Sequence, residues 1–459
     1  MPKDNAVNKW VVLLIASASS FITPFMSSSI NIALPTIGRE FHMDAVQQTW
    51  VASAYLLATA AFLIPVGRLG DIYGRKRVFT AGISIFVITS ALMLFAPSPI
   101  FLIALRFLQG MGAAMIFGIS MAILTSVFPP NERGKALGIN VTSVYAGLAM
   151  GPFLGGILTQ NFGWRSIFMI PIVLGVIVLG SIPWKLKGEW AEARGEKVDF
   201  AGSIVYMLSL IAIMYGVSQL PGTSGIWSIA IGVLGMVAFV MWELKASSPV
   251  LNVRLFKHNR LFVISNLTAL INYSATFSVA FLMSYYLQHI KGLSPQSAGL
   301  VMLTMPVIQA LFSWLAGHLS DRIEPRIISS AGLGLAMTGL TILSFLSPNT
   351  PYWLIFVSLG ILGLGFALFS SPNANAIMSS VERKSYGVAS AMVSTMRSVG
   401  MTFSMSITML LFALYIGRVE ITPEAYPMFL KSANTAFAIA AGLSFLGIFA
   451  SVFRGKVRP

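Results

Sequence analysis

The chain has 459 residues, of which 56% are hydrophobic and only 10% charged, and a formal net charge of +15; its mean hydropathy is +0.81. Soluble domains carry roughly a quarter charged residues, so the composition excludes a soluble protein and points to an all-α, polytopic membrane protein. There is no cysteine, which excludes a disulfide framework and thiolate metal sites, and the four histidines show no paired spacing, so neither metal nor cofactor is expected.

A membrane-crossing helix needs about 20 mostly apolar residues. Fourteen runs meet that length, near 10–35, 47–66, 78–97, 99–127, 135–160, 164–184, 198–219, 226–243, 260–288, 296–317, 326–346, 351–377, 385–416 and 431–453. The first follows Lys3 and Lys9 and is too long for a signal-peptide core, so it reads as a retained helix. With the N-terminus inside, inside segments hold 23 Lys/Arg, outside segments five (Arg39, Arg165, Lys291, Arg418, Lys431), and Arg106 and Arg397 fall within spans. By the positive-inside rule both termini are cytoplasmic. The basic residues thus serve the lipid bilayer and not nucleic acid.

The loop after the second run reads Gly67-Arg68-Leu69-Gly70-Asp71-Ile72-Tyr73-Gly74-Arg75-Lys76-Arg77. Its glycines suit a tight turn and close helix approach, and Asp71 is placed to pair with an Arg or to cap a helix across the interface between two halves. A weaker copy, Gly317-His318-Leu319-Ser320-Asp321-Arg322, follows at an offset of 250. The same offset carries Gly110 to Gly360 and Glu132-Arg133 to Glu382-Arg383, which implies one ungapped register. The chain therefore divides into two six-helix halves, 1–185 and 260–459, with a two-helix hairpin and its charged linkers at 186–259. Paired halves are the sequence mark of carriers that rock around a central site. Taken alone, the loop reads equally as a topology signal.

The pattern G-x-L-x-D-x-x-G-R-K-R between the second and third spans resembles the signature loop of the major facilitator superfamily. Fourteen spans with an inserted hairpin resemble its drug:proton antiporter branch. The resemblance implies that Gly67, Asp71, Gly74 and Arg75, echoed by Asp321 and Arg322, form a gate that closes the cytoplasmic side. In the fourth span Arg106-Phe107-Leu108-Gln109-Gly110-Met111-Gly112 matches the superfamily's R-x-x-Q-G-x-G, whose Arg is implicated in proton transfer or substrate contact. A buried Arg is costly and is a functional candidate by default, although one satisfied by carbonyls only rigidifies the bundle. Arg397, twelve residues into the thirteenth span, has the same standing. In the fifth span Gly147, Gly151 and Gly155 recur every four residues, which suits close backbone packing, and Pro152 bends the helix. With Gly156 they complete G-x-x-x-G-P-x-x-G-G, the string that marks exporters in this superfamily.

Polar residues within spans are candidates for a central cavity: Ser28, Asn31, Gln109, Asn272, Tyr273, Gln309, Asn373 and Asn375, with Ser27 and Asn266 beside them. Pro372 before the two Asn suggests a broken helix. None of the 15 acids falls at the centre of a span, and Met26 stands where many relatives have an Asp nine residues before the Pro of Ala33-Leu34-Pro35. Two buried arginines without a buried acid make an electropositive cavity. The expectation is a monomeric secondary transporter that exports small neutral or anionic amphipathic compounds by alternating access, coupled to protons through a peripheral acid or the substrate itself. The other readings are an anion or nutrient carrier of the same fold and a transport-derived membrane sensor. No acid/base constellation marks an enzyme, and no G-x-x-x-x-G-K-[ST] loop marks direct use of ATP.

Overall fold

A computed structural model of the chain describes residues 8–129, 132–186, 188–191, 193–196, 198–246, 250, 259–381 and 386–455; within helices, the side chains of residues 321 and 386–388 lie outside the description. Lys3 and the Glu382-Arg383 pair lie outside the described residues, as do the side chain of Asp321 and parts of both hairpin linkers.

The fourteen apolar runs form fourteen spans. They are α1 (Lys9–Glu40), α2 (Ala45–Tyr73), α3 (Arg75–Met93), α4 (Pro99–Val127), α5 (Arg133–Phe162), α6 (Trp164–Lys185), α7 (Phe200–Ser218) and α8 (Thr223–Glu243). After them come α9 (Arg260–Ile290), α10 (Pro295–Met302 and Thr304–Arg322), α11 (Pro325–Leu343), α12 (Tyr352–Ser379), α13 (Tyr386–Tyr415) and α14 (Tyr426–Phe453). Asp71, Glu132 and Arg454 lie at one end of the bundle, here the basic end; Glu40, Asp44 and Glu420 lie at the far end.

Helix contacts repeat between the two sets of six. The α1–α5 seam closes at Gly147, where an added Cβ would stand 2.4 Å from Phe21 O; Gly400 of α13 meets Leu270 O of α9 at 2.7 Å in the same way. Gly110 lies against Tyr55 O and Gly112 against Gly82 O, and their mirror contacts are Gly363 on Met305 O and Gly365 on Gly332 O. Physical equivalence therefore runs at an offset of 250 for α2 and α3 but 253 for α4 and α5. The difference arises between Met93 and Pro99, a gap three residues shorter than that between Leu343 and Tyr352. The offset of 250 is thus not ungapped. Gly360 faces open space, and Gly363, three residues on, is the packing equivalent of Gly110.

The helix interruption expected at Pro372 does not occur, since α12 runs unbroken through it. Instead α9 breaks between Thr276 and Ser278, where the Ser278 N–H is taken by Ser404 Oγ of α13 at 3.0 Å. A side chain inserted into the hydrogen-bond ladder is a recognised cause of a bend. In α10 the break at Leu303 precedes Pro306, which has no N–H to offer Met302. The hairpin lies against both sets of six: Tyr206 of α7 donates to Ala60 O of α2 at 3.1 Å, and Ser406 of α13 reaches Met214 Sδ at 2.6 Å.

Candidate transport site

The far end is sealed by contacts between the two sets of six. Ser284 Oγ donates to Asn31 O at 2.6 Å, Gln288 to Ile32 O at 3.0 Å, and Tyr285 OH to Gln48 Oε1 at 2.6 Å. Asp44 caps α2 and forms an antiparallel bridge with Glu420, with Ala45 N–H on Val419 O at 3.1 Å. The glycine stripe of α5 explains how α1 and α5 come so close below this seal. A Cβ on Gly151 would overlap Ser28 Oγ, and one on Gly155 would stand 2.9 Å from Ser29 Cβ. Gly156 faces another way, toward Pro295 O of α10, while Gly299 lies against Pro152 O. The string thus serves two seams, one within the first six helices and one between the sets.

At the basic end the signature segment is nearly all helix. No residue before Gly74 breaks α2, which runs to Tyr73, and α3 starts at Arg75. Gly74 alone makes the turn, at φ +113°, a conformation that favours glycine; Gly67 faces open space. Among the described residues Asp71 makes no contact across the interface. Its Oδ1 accepts from Arg75 Nη2 at 2.8 Å and Nε at 3.0 Å, and Arg75 also holds Ser126 Oγ at 2.6 Å and Ala122 O at 3.2 Å. The pair fastens α2, α3 and α4 together. A segment of the first hairpin linker straps over it: Arg75 N–H bonds Trp190 O at 2.8 Å and Ala193 N–H bonds Asp71 O at 2.9 Å. Glu189 accepts the Lys76 N–H at 2.8 Å, and Arg68 pairs with Glu196.

The second copy is built differently. Pro325 occupies the place of Arg75 at an offset of 250, Arg322 is exposed, and the fastening Arg is Arg454 at the end of α14. It is 1% exposed, donates to Asn373 Oδ1 at 2.7 Å and to Ser329 Oγ at 3.3 Å, and Asn373 in turn donates to Ser265 O. Burial pushes the Arg454 guanidinium down to about 10, against the pull of Glu324, so it stays charged at neutral pH. Sequence reasoning counted Arg454 only as a topology charge. Asn373 belongs to this fastening and Asn375 bonds Ser320 Oγ of α10 at 3.1 Å; neither lines the central cleft.

Between the seal and the basic end lies a cleft of about 850 Å³, its open mouth included, walled by α1, α2, α4 and α5 on one side and α9 and α13 on the other. Asn140 and Ser394 on its walls are seven and eight residues from the basic ends of their helices, roughly 11 Å of helix rise. Arg397 is on its surface; Arg106 is not. Arg106 is fully buried behind Tyr55, whose ring lies 4.3 Å from the guanidinium carbon. It donates to Val51 O at 3.1 Å and to Gln109, and Gln109 passes on to Ser90 Oγ at 2.8 Å. Tyr55 itself lines the cleft and donates to Thr23 O at 3.0 Å.

Of the remaining cavity candidates, Ser28 sits in the α1–α5 seam, donating to Pro24 O at 3.0 Å, whereas its neighbour Ser27 does line the cleft. Asn31, Asn272 and Gln309 are buried off the cleft with side-chain atoms that have no partner among the described residues, and Asn266 bonds Phe262 O. Tyr273 lies behind Arg397, ring to guanidinium 5.6 Å. Of the polar candidates, Gln109, Asn373 and Asn375 bond neighbouring helices in the way membrane helices associate, while Ser28 and Asn266 bond carbonyls of their own helix; position relative to the cleft depends on helix rotation, which residue type does not report.

The Major Facilitator Superfamily model matches residues 16–271 and 265–459. The chain belongs to the major facilitator superfamily. As a superfamily member it is a multi-pass membrane transporter and not an enzyme. The riboflavin transporter RibZ of Clostridioides difficile is 31% identical over 448 residues, 97% of each chain. The multidrug efflux pump LfrA of Mycolicibacterium smegmatis is 28% identical over 446 residues, 95% of this chain and 88% of the relative. Among solved structures, a peptide transporter in complex with alafosfalin aligns with a TM-score of 0.70 at 14% identity, covering 96% of this chain and 94% of that one. A bacterial homologue of the human lysosomal transporter Spinster, inward-facing and occupied, aligns at 0.66 and 16% identity over 98% and 97%; at these identities the likeness is one of fold.

Proposed function

We propose that the chain is a secondary active exporter of small amphipathic compounds, neutral or anionic, that works by alternating access and is driven by proton antiport. Its moving parts are the halves 1–185 and 260–459, and the hairpin 186–259 covers the seam where α2 meets α13. Both termini and the basic end face the cytoplasm, and a monomer suffices. The observation that carries the reading is the arrangement along the bundle axis: a seal at the far end, and below it a cleft walled by both sets of six. The far end is thus the joined one, and on the basic side the halves also meet where Ser390 Oγ of α13 donates to Met121 Sδ of α4 at 3.2 Å, a contact that must part for cargo to enter from the cytoplasm. The electropositive wall and the absence of any acid among the cleft residues favour neutral or anionic cargo, because an unpaired carboxylate is what would draw in a cation. The Asp71–Arg75 pair is the gating corner.

Purified protein in liposomes tests the coupling. A gradient with the acidic side at the far face should accelerate export from the basic face several-fold over equal pH, and transport indifferent to the gradient would remove proton antiport from the reading. The match to RibZ along 97% of both chains supports a second reading, a nutrient carrier. Radiolabelled riboflavin measured in both directions on the same liposomes separates the two, since a nutrient carrier would fill the compartment at the basic end.

A further inference from the structure

The two walls of the cleft are built from equivalent helices, so differences between matched positions describe what lies between them. At the packing offset of 253, Val141, Val144 and Leu148 of α5 correspond to Ser394, Arg397 and Met401 of α13, and all six line the cleft. At these matched positions the face is apolar on α5, whose polar cleft residue is Asn140 nearer the basic end, and carries a cation and a hydroxyl on α13. Arg397 makes no hydrogen bond or ion pair among the described residues; its contact is the ring of Tyr273. A guanidinium near mid-membrane demands an acceptor, and it prefers a planar anion it can grip with two N–H groups. Arg106 is unsuited to that task, being behind Tyr55 and already bonded to Val51 O and Gln109.

We infer that Arg397 is the residue that determines substrate class, and that the cargo is an amphipathic monoanion bound with its carboxylate or sulfonate on Arg397 of α13 and its apolar body on Val141, Val144 and Leu148 of α5. This rests on the reading of the cleft as the transport site and narrows its cargo from neutral or anionic to anionic. It also assigns the two arginines within spans different work, Arg397 at the cargo and Arg106 as a positioning residue for Tyr55.

The absence of cysteine allows a test on the full chain in lipid nanodiscs without any transport assay. Ser394→Cys places one thiol on the wall, one turn from Arg397. After normalisation to a free thiol, the anionic sulfonatoethyl methanethiosulfonate should label it about tenfold faster than the cationic trimethylammonioethyl reagent, as steering by a charged cleft predicts. Arg397→Gln should abolish the preference and Arg397→Lys should keep it, which guards against a variant that merely unfolds. Anilinonaphthalene sulfonate should slow labelling, and phenylnaphthylamine, the same body without the sulfonate, should not. A preference that survives Arg397→Gln overturns the assignment, as does protection by the amine as great as that by the sulfonate, including none by either. Because the rates need no transport, a protein that shows this pattern yet fails to move cargo would refute the exporter reading and leave the anion site standing.

Discussion

Gly155 and Gly156 are neighbours in the chain and serve different seams. A Cβ on Gly155 would press on Ser29 Cβ at 2.9 Å and Cα at 3.0 Å, both in α1 of the same half; one on Gly156 would press on Pro295 O at 2.6 Å in α10 of the other. Overpacking of this kind costs about 1–3 kcal/mol, but the cost is borne by different equilibria. In the proposed two-half cycle Gly155→Ala is under strain in every state, because α1 and α5 belong to the same half, and it should lower thermal stability. Gly156→Ala is under strain only while the far end is shut, so it should leave stability nearly unchanged and favour the state open at the far end. Labelling of single cysteines placed on the far face of α5 would report that shift, and equal melting losses for both variants would show the two seams to be one. The stripe itself was legible, since spacing by four and small residues define a packing face. Its partners were not, because a sequence pattern carries no information on which helix arrives.

Elements that cross the chain are where charge patterns mislead. The strap at 188–196 looks like a charged linker, yet two backbone bonds and Glu189 tie it to the ends of α2 and α3. Two of its acids, Glu189 and Glu196, should differ in weight. Glu189 accepts the N–H of Lys76 at the start of α3, a cap of about 1 kcal/mol, with the exposed Arg77 3.7 Å from its other oxygen, while Glu196 with Arg68 is a half-exposed ion pair, and pairs reached by water contribute little. In hydrogen exchange, Glu189→Ala should speed the amides at the start of α3 about fivefold, whereas Glu196→Gln should change them little; a larger effect from Glu196 would mean that the strap is held by charge and not by capping. The same limit on legibility applies to Arg454 and to the bend in α9. Arg454 sits among tail charges and looks like a topology signal, but α14 ends where it meets Asn373. The bend has no Pro or Gly to announce it, because the interrupting hydroxyl comes from Ser404, well over a hundred residues away.

On the scale of the whole molecule, span count was readable because it follows from apolar length. The state of the carrier was not, since two conformations share one sequence and differ only in which end is joined. The joined end offers its own test. Asp44 and Glu420 form an antiparallel bridge between the halves, a pairing that sets their Cα atoms about 4.5–5.5 Å apart, within reach of a disulfide. In a chain without native cysteine, Asp44→Cys with Glu420→Cys can form only that crosslink within one molecule. Loss of the Asp44 cap costs about 1 kcal/mol in both redox forms, so the oxidised and reduced variant are compared with each other. If the halves separate at the far end in each cycle, oxidation should stop transport and reductant should restore it, while labelling of Ser394→Cys from the basic end proceeds at the same rate in both forms. Transport that continues through an oxidised crosslink would mean that cargo leaves without opening this seal, and the two-half rocking cycle would have to be replaced by a path through one half or along the hairpin.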